Sequence, residues 1–197
     1  MKLVVAGLCY VSMAIMSADA GGRIEGTVKA TGLASNADAV VYIQQVAGKA
    51  PTPAKPAEID QRSMQFVPHV LPIVAGSTVH FLNSDPTQHN VFSPDHEKYN
   101  LGTWPQGQTK DHTFATCAKA PCAYVQLCRI HPEMEGYVVV LQNPFFAVTV
   151  ADGRYVIDNV PAGTYSLGVW HPKEKSQPKP VIVDASKPVV VDFVLTK

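Results

Sequence analysis

Methionine is scarce once the N-terminal stretch is set aside. Of five methionines, Met1, Met13 and Met16 fall within the first 20 residues, which leaves Met64 and Met134 for the rest of the chain. That excludes a Met-rich tract for handing on soft metal ions. Net charge is lacking too. The 16 basic and 16 acidic side chains balance, and the first 20 residues take one of each sign, Lys2 and Asp19, leaving 15 and 15. There is no basic excess to suggest nucleic acid, and no acidic tail. The apolar run from Leu3 to about Met16 is shorter than the ~20 residues a membrane span needs, and no basic cluster follows it. Lipidation at Cys9 is disfavoured by Leu8, which stands where a small residue is required. With Lys2 before it and Ala18-Asp19-Ala20 after it, the run reads as a secretory signal peptide over residues 1–20. The expected location is periplasmic or otherwise secreted, with cleavage after Ala20.

Removing 20 of the 197 residues leaves 177, enough for one large β domain or two small ones. Sixteen prolines and thirteen glycines lie among Val-rich segments, a pattern of many short strands and turns, and no amphipathic helix is evident. The expected class is all-β, with a short helix over 95–99 as the one exception. Of four cysteines, Cys9 leaves with the signal peptide. Cys117 and Cys122, in CAKAPC, are read as a small disulfide loop in an oxidising compartment, with a second metal site as the alternative.

The segment Cys128-Arg129-Ile130-His131-Pro132-Glu133-Met134 lies between two strand-like runs, 123–127 and 137–141. A thiolate, an imidazole and a thioether in one short segment match a His₂Cys copper site with a weak axial Met. The three side chains meet only if the segment folds tightly, and Pro132 favours a turn just after His131. Gly136 is expected to release the chain into the next strand. The second histidine is His89, in the polar turn NSDPTQHNVF, so the candidate ligands are His89, Cys128, His131 and Met134. His69, His80, His96, His112 and His171 are read first as packed or solvated residues.

The two motifs together resemble the cupredoxins, the plastocyanin- and amicyanin-like type 1 blue copper proteins, and the short His-to-Met gap is most similar to that of amicyanin. The resemblance covers residues 58–142. It implies a Greek-key β-sandwich, one copper ion cycling between Cu(I) and Cu(II), and a place for Asn90 beside the thiolate sulfur. It also implies that His131 is the partly exposed electron port, with Arg129 and Glu133 flanking it. Two positions depart from the family pattern: Gln126 stands where an aromatic is common, and Pro121-Cys122-Ala123 where a glycine turn is usual. A dinuclear loop is excluded because Tyr124 holds the place of its other cysteine, and a multicopper oxidase loop because Leu127 and Arg129 flank Cys128.

Segments GRIEGTV and AVVYI near the start, and ADGRYVI and VPAGTYSL after residue 148, resemble the carboxypeptidase regulatory-like, or transthyretin-like, sandwich. This places a discontinuous second sandwich at residues 22–48 plus 143–197, with residues 49–57 as a Pro/Ala-rich linker into the inserted copper domain. The expected function is single-electron transfer to and from redox partners, a cytochrome, oxidase or dehydrogenase, and not enzymatic catalysis. A copper module for sensing, storage or delivery is the runner-up, and a non-redox adhesion or scaffold protein the third reading.

Overall fold

The computed structural model describes residues 21–48, 50, 51, 53–115, 117 and 119–197. The expected signal peptide lies outside the described residues. Every regular element among them is a strand, and no helix is long and apolar enough to cross a membrane. The strands are β1 (Gly22–Ala30), β2 (Val40–Ile43), β3 (Ala57–Arg62), β4 (Gln65–Val67), β5 (Val70–Val74), β6 (Thr78–Asn83), β7 (His89–Ser93), β8 (Tyr99–Trp104) and β9 (Thr109–Thr113). They continue as β10 (Cys122–Leu127), β11 (Glu135–Leu141), β12 (Phe146–Val148), β13 (Arg154–Val160), β14 (Gly163–Trp170), β15 (Lys179–Val183), β16 (Val189–Val190) and β17 (Phe193–Leu195).

Strands β3 to β11 form two sheets, ordered β4-β3-β6-β9 and β5-β11-β10-β7-β8. Alternation sets their inner faces: Val79 and Phe81 of β6, and Val138 and Val140 of β11, enter one core with Phe66, Trp104, Phe114 and Tyr124. The flanking strands form two further sheets, β13-β1-β16 with β17 also on β1, and β12-β2-β14-β15. These enclose a separate core around Ile24, Val41, Ile157, Leu167 and Phe193. A third cluster joins the two bodies: Val139 and Leu141, on the other face of β11, pack with Val70 of β5 and with Val40 and Tyr42 of β2. Strand β11 is thus buried on both faces, which explains the unbroken apolar run Val138-Val139-Val140-Leu141. The same seam carries His69, whose Nδ1 lies 2.8 Å from Asp38 Oδ2, and Tyr137, whose ring meets Trp170 edge-on at 5.4 Å.

One element differs from expectation. Residues 95–98 form a turn rather than a helix, closed by Lys98 N–H donating to Asp95 O at 2.9 Å, with positive φ at His96 and Lys98. The carboxylates of this turn are engaged by β10: Asp95 accepts from Val125 N–H at 2.7 Å, and Glu97 accepts from the Tyr124 hydroxyl.

Candidate metal centre

Pairing in the five-stranded sheet brings three strand ends together. Leu127 is opposite Phe92 of β7 and opposite Glu135 of β11. His89 therefore opens β7 where Cys128 leaves β10 and Met134 enters β11. The loop between is closed by Met134 N–H donating to His131 O at 3.0 Å, with Pro132 in the second turn position that its fixed φ favours. Gly136 acts by its lack of a side chain rather than by conformational freedom: a Cβ there would lie 2.8 Å from Phe66 Cβ.

The side chains of His89, Cys128 and His131 converge, each offering one donor atom within 4.8 Å of the others. The two imidazole Nδ1 atoms are 3.0 Å apart, and Cys128 Sγ lies 3.9 Å from His131 Nδ1. His89 is fully buried, Cys128 is 3% exposed and Met134 1%; His131 is partly exposed. Met134 and Cys128 belong to the same core cluster. Asn90 N–H donates to Cys128 Sγ at 3.4 Å. The Asn90 side chain donates to Asn100 Oδ1 at 2.8 Å and to Gly102 O at 2.7 Å, and accepts from Arg129 N–H at 3.4 Å. The two contacts to β8 staple a bulge between β7 and β8, a common device beside functional sites, and the third ties the loop after Cys128 to β7.

Two ring nitrogens facing each other with a sulfur beside them converge on one point, where a cation would be held by all three. The donor types, imidazole and thiolate with a thioether buried alongside, fit copper rather than a hard ion. The Asn90 N–H is the backbone donor aimed at the sulfur.

Two features are not evident in the sequence. Asp85 is only 7% exposed and its Oδ2 accepts from His89 Nε2 at 2.8 Å. Burial opposes its ionisation, yet backbone donors at Met64 and Ser63 and the His89 ring prevail and hold its pKa below the usual carboxylate range. An aspartate in a polar turn ordinarily reads as a turn former, and only its four-residue spacing from His89 hints at more. The second feature is buried Gln126, whose Oε1 accepts from the hydroxyl of Tyr99 on β8.

The other histidines lie away from this cluster in various roles. His80 pairs with Asp111 at 2.6 Å, His112 stacks on Tyr99 at 3.8 Å, and His96 leans on the Tyr124 ring at 4.6 Å. His171 accepts from Lys173 N–H at 3.2 Å. Arg129 lies over the Phe92 ring at 5.0 Å, while Glu133 is exposed. Cys117 and Cys122 form a disulfide.

No family model and no curated protein matches the chain. Among solved structures, it is similar to the copper-containing nitrite reductase NirK of Thermus scotoductus, with 29% identity over 50% of this chain and a TM-score of 0.40. The match spans only 25% of that reductase. It is also similar to the novel purple cupredoxin of Nitrosopumilus maritimus, with 26% identity over 43% of this chain and 98% of that one, TM-score 0.37. The Cu(I) form of an amicyanin mutant matches with 22% identity over 49% of this chain and 96% of that one, TM-score 0.39.

Proposed function

We propose that the protein is an exported type 1 copper protein that carries single electrons between redox partners and is not itself an enzyme. One ion would be held by His89, Cys128 and His131, with the Met134 thioether as the weak fourth ligand. The observation that carries this reading is the approach of two imidazole Nδ1 atoms to 3.0 Å beside a buried cysteine. Copper bound there would supply one-electron chemistry between Cu(I) and Cu(II). The chain's own part is to hold the donors in place, so that little has to reorganise between the two states. Asn90 N–H stabilises the sulfur anion, and the core beneath the site excludes water.

His131 is the partly exposed member of the set, and Ile130 beside it is 45% exposed. This apolar rim is the docking face in our reading, suited to a cytochrome, oxidase or dehydrogenase in the periplasm. Two separate cores support a division into a copper domain, residues 58–142, and a discontinuous carboxypeptidase regulatory-like sandwich, residues 22–48 plus 143–197. Strand β3 takes in Ala57, the last residue of the assigned linker.

Voltammetry of the copper-loaded protein on an electrode tests the function. A reversible one-electron wave, with copper retained against a competing Cu(I) chelator, is expected. Loss of copper to the chelator on reduction, without a reversible wave, would instead assign the protein to copper delivery.

A further inference from the structure

The two nitrogens of the His89 ring face different surroundings. Nδ1 meets the His131 ring nitrogen at 3.0 Å, whereas Nε2 lies 2.8 Å from Asp85 Oδ2. An ionised carboxylate only accepts, so a neutral imidazole in this contact carries its proton on Nε2 and leaves the Nδ1 lone pair free. We propose that Asp85 is a positioning residue: it presents His89 to the metal through Nδ1 and ties that ligand to the tip of the β3–β4 hairpin. The consequences at the metal rest on the copper reading above, whereas the tautomer does not.

The carboxylate is itself held. Oδ1 accepts from Ser63 N–H at 2.6 Å and Oδ2 from Met64 N–H at 2.8 Å, and Asp85 N–H donates to Asn83 Oδ1 at 2.9 Å. Ser63 and Met64 both have positive φ, 55° and 56°, a conformation that side-chain-bearing residues adopt only when the surroundings stabilise it. Asp85 provides that support, so one carboxylate secures both a strained hairpin tip and a buried ring. Met64 at the tip is 50% exposed, which links a surface residue to the metal ligand through two hydrogen bonds. A negative acceptor behind a coordinating imidazole raises its basicity and favours the more highly charged metal state.

The test uses Asp85→Asn, which keeps the size and removes the charge, with Asp85→Glu as the conservative variant. Nitrogen-resolved NMR of the metal-free wild type in mildly alkaline buffer should find His89 as the Nε2–H tautomer. Asp85→Asn should give a mixture of tautomers and an about tenfold weaker Cu(II) affinity. With Cu(I) affinity unchanged, that tenfold loss raises the reduction potential by about 59 mV for one electron. Asp85→Glu should recover part of both effects. A wild-type Nδ1–H tautomer overturns the proposal even if Asp85→Asn fails to fold. So does an Asp85→Asn protein that keeps the Nε2–H form and binds Cu(II) within about twofold of wild type, short of the usual outer-ligand effect. If the wild type binds no copper, the copper reading fails, and the tautomer measurement still decides the role of Asp85.

Discussion

Replacing Asn90 with alanine separates what its side chain does from what its backbone does. The backbone N–H that reaches Cys128 Sγ stays, while three side-chain hydrogen bonds are lost, to Asn100 Oδ1, Gly102 O and Arg129 N. At about 0.5–1.5 kcal/mol each, three bonds give about 1.5–4.5 kcal/mol. The structure argues for the lower half. Asn100 Oδ1 still accepts from Gly102 N–H at 3.0 Å, Gly102 is exposed so water can replace the lost donor, and the Arg129 contact is long at 3.4 Å. The expected cost is about 2 kcal/mol, or about 4–8 °C in melting temperature for a chain of this length. Scanning calorimetry of the metal-free protein measures it. The copper-loaded form should keep its visible absorption but with a shifted maximum, because the loop bearing Cys128 is less firmly tied to β7. A melting temperature and an absorption maximum both unchanged would refute the assignment of Asn90 as the staple between these loops.

The His69–Asp38 pair should make stability depend on pH. The Asp38 hydrogen bond raises the His69 pKa, so that contribution is full below about 6.5 and fades as pH rises through the folded value. The His69 hydrogen bond lowers the Asp38 pKa, so its contribution is present above about 3.9 and fades as pH falls through the folded value. The stability difference between wild type and His69→Gln, measured by urea unfolding, should therefore peak between about pH 4 and 6.5. Both side chains are over a third exposed, so it should stay below about 1 kcal/mol; a difference flat across the range would contradict the pairing. Leu141→Ala, at the seam between the two bodies and 1% exposed, should cost about 2–5 kcal/mol and lower a single calorimetric transition. Two resolved transitions with only one displaced would show that the seam does not couple the bodies. Serine at both Cys117 and Cys122, five residues apart, should cost about 2 kcal/mol by the loop-entropy relation and leave the copper absorption intact; loss of the colour would place that loop in the site.

The convergence of His89, Cys128 and His131 is legible because two of the three share one short loop, and the third sits where a polar turn enters a strand. The double burial of β11 is legible as well, in the run Val138 to Leu141, although the sequence does not say which body covers which face. Asp85 is not legible, since its role depends on a hairpin tip contributed by Ser63 and Met64, 22 and 21 positions earlier. Residues 95–98 mislead for a related reason. Val125 N–H and the Tyr124 hydroxyl, brought in by β10, engage the Asp95 and Glu97 carboxylates, a long-range pairing that the local sequence does not show.

The most direct measurement is a Cu(II) titration followed by visible absorption, run on the wild type and on Cys128→Ser. If the sulfur of Cys128 is the copper donor that gives intense colour, the wild type should develop a strong band that saturates at one equivalent and bleaches with ascorbate, and the serine variant should show none. A colourless wild type, or a variant with the same band, would contradict the assignment of Cys128 as the copper thiolate.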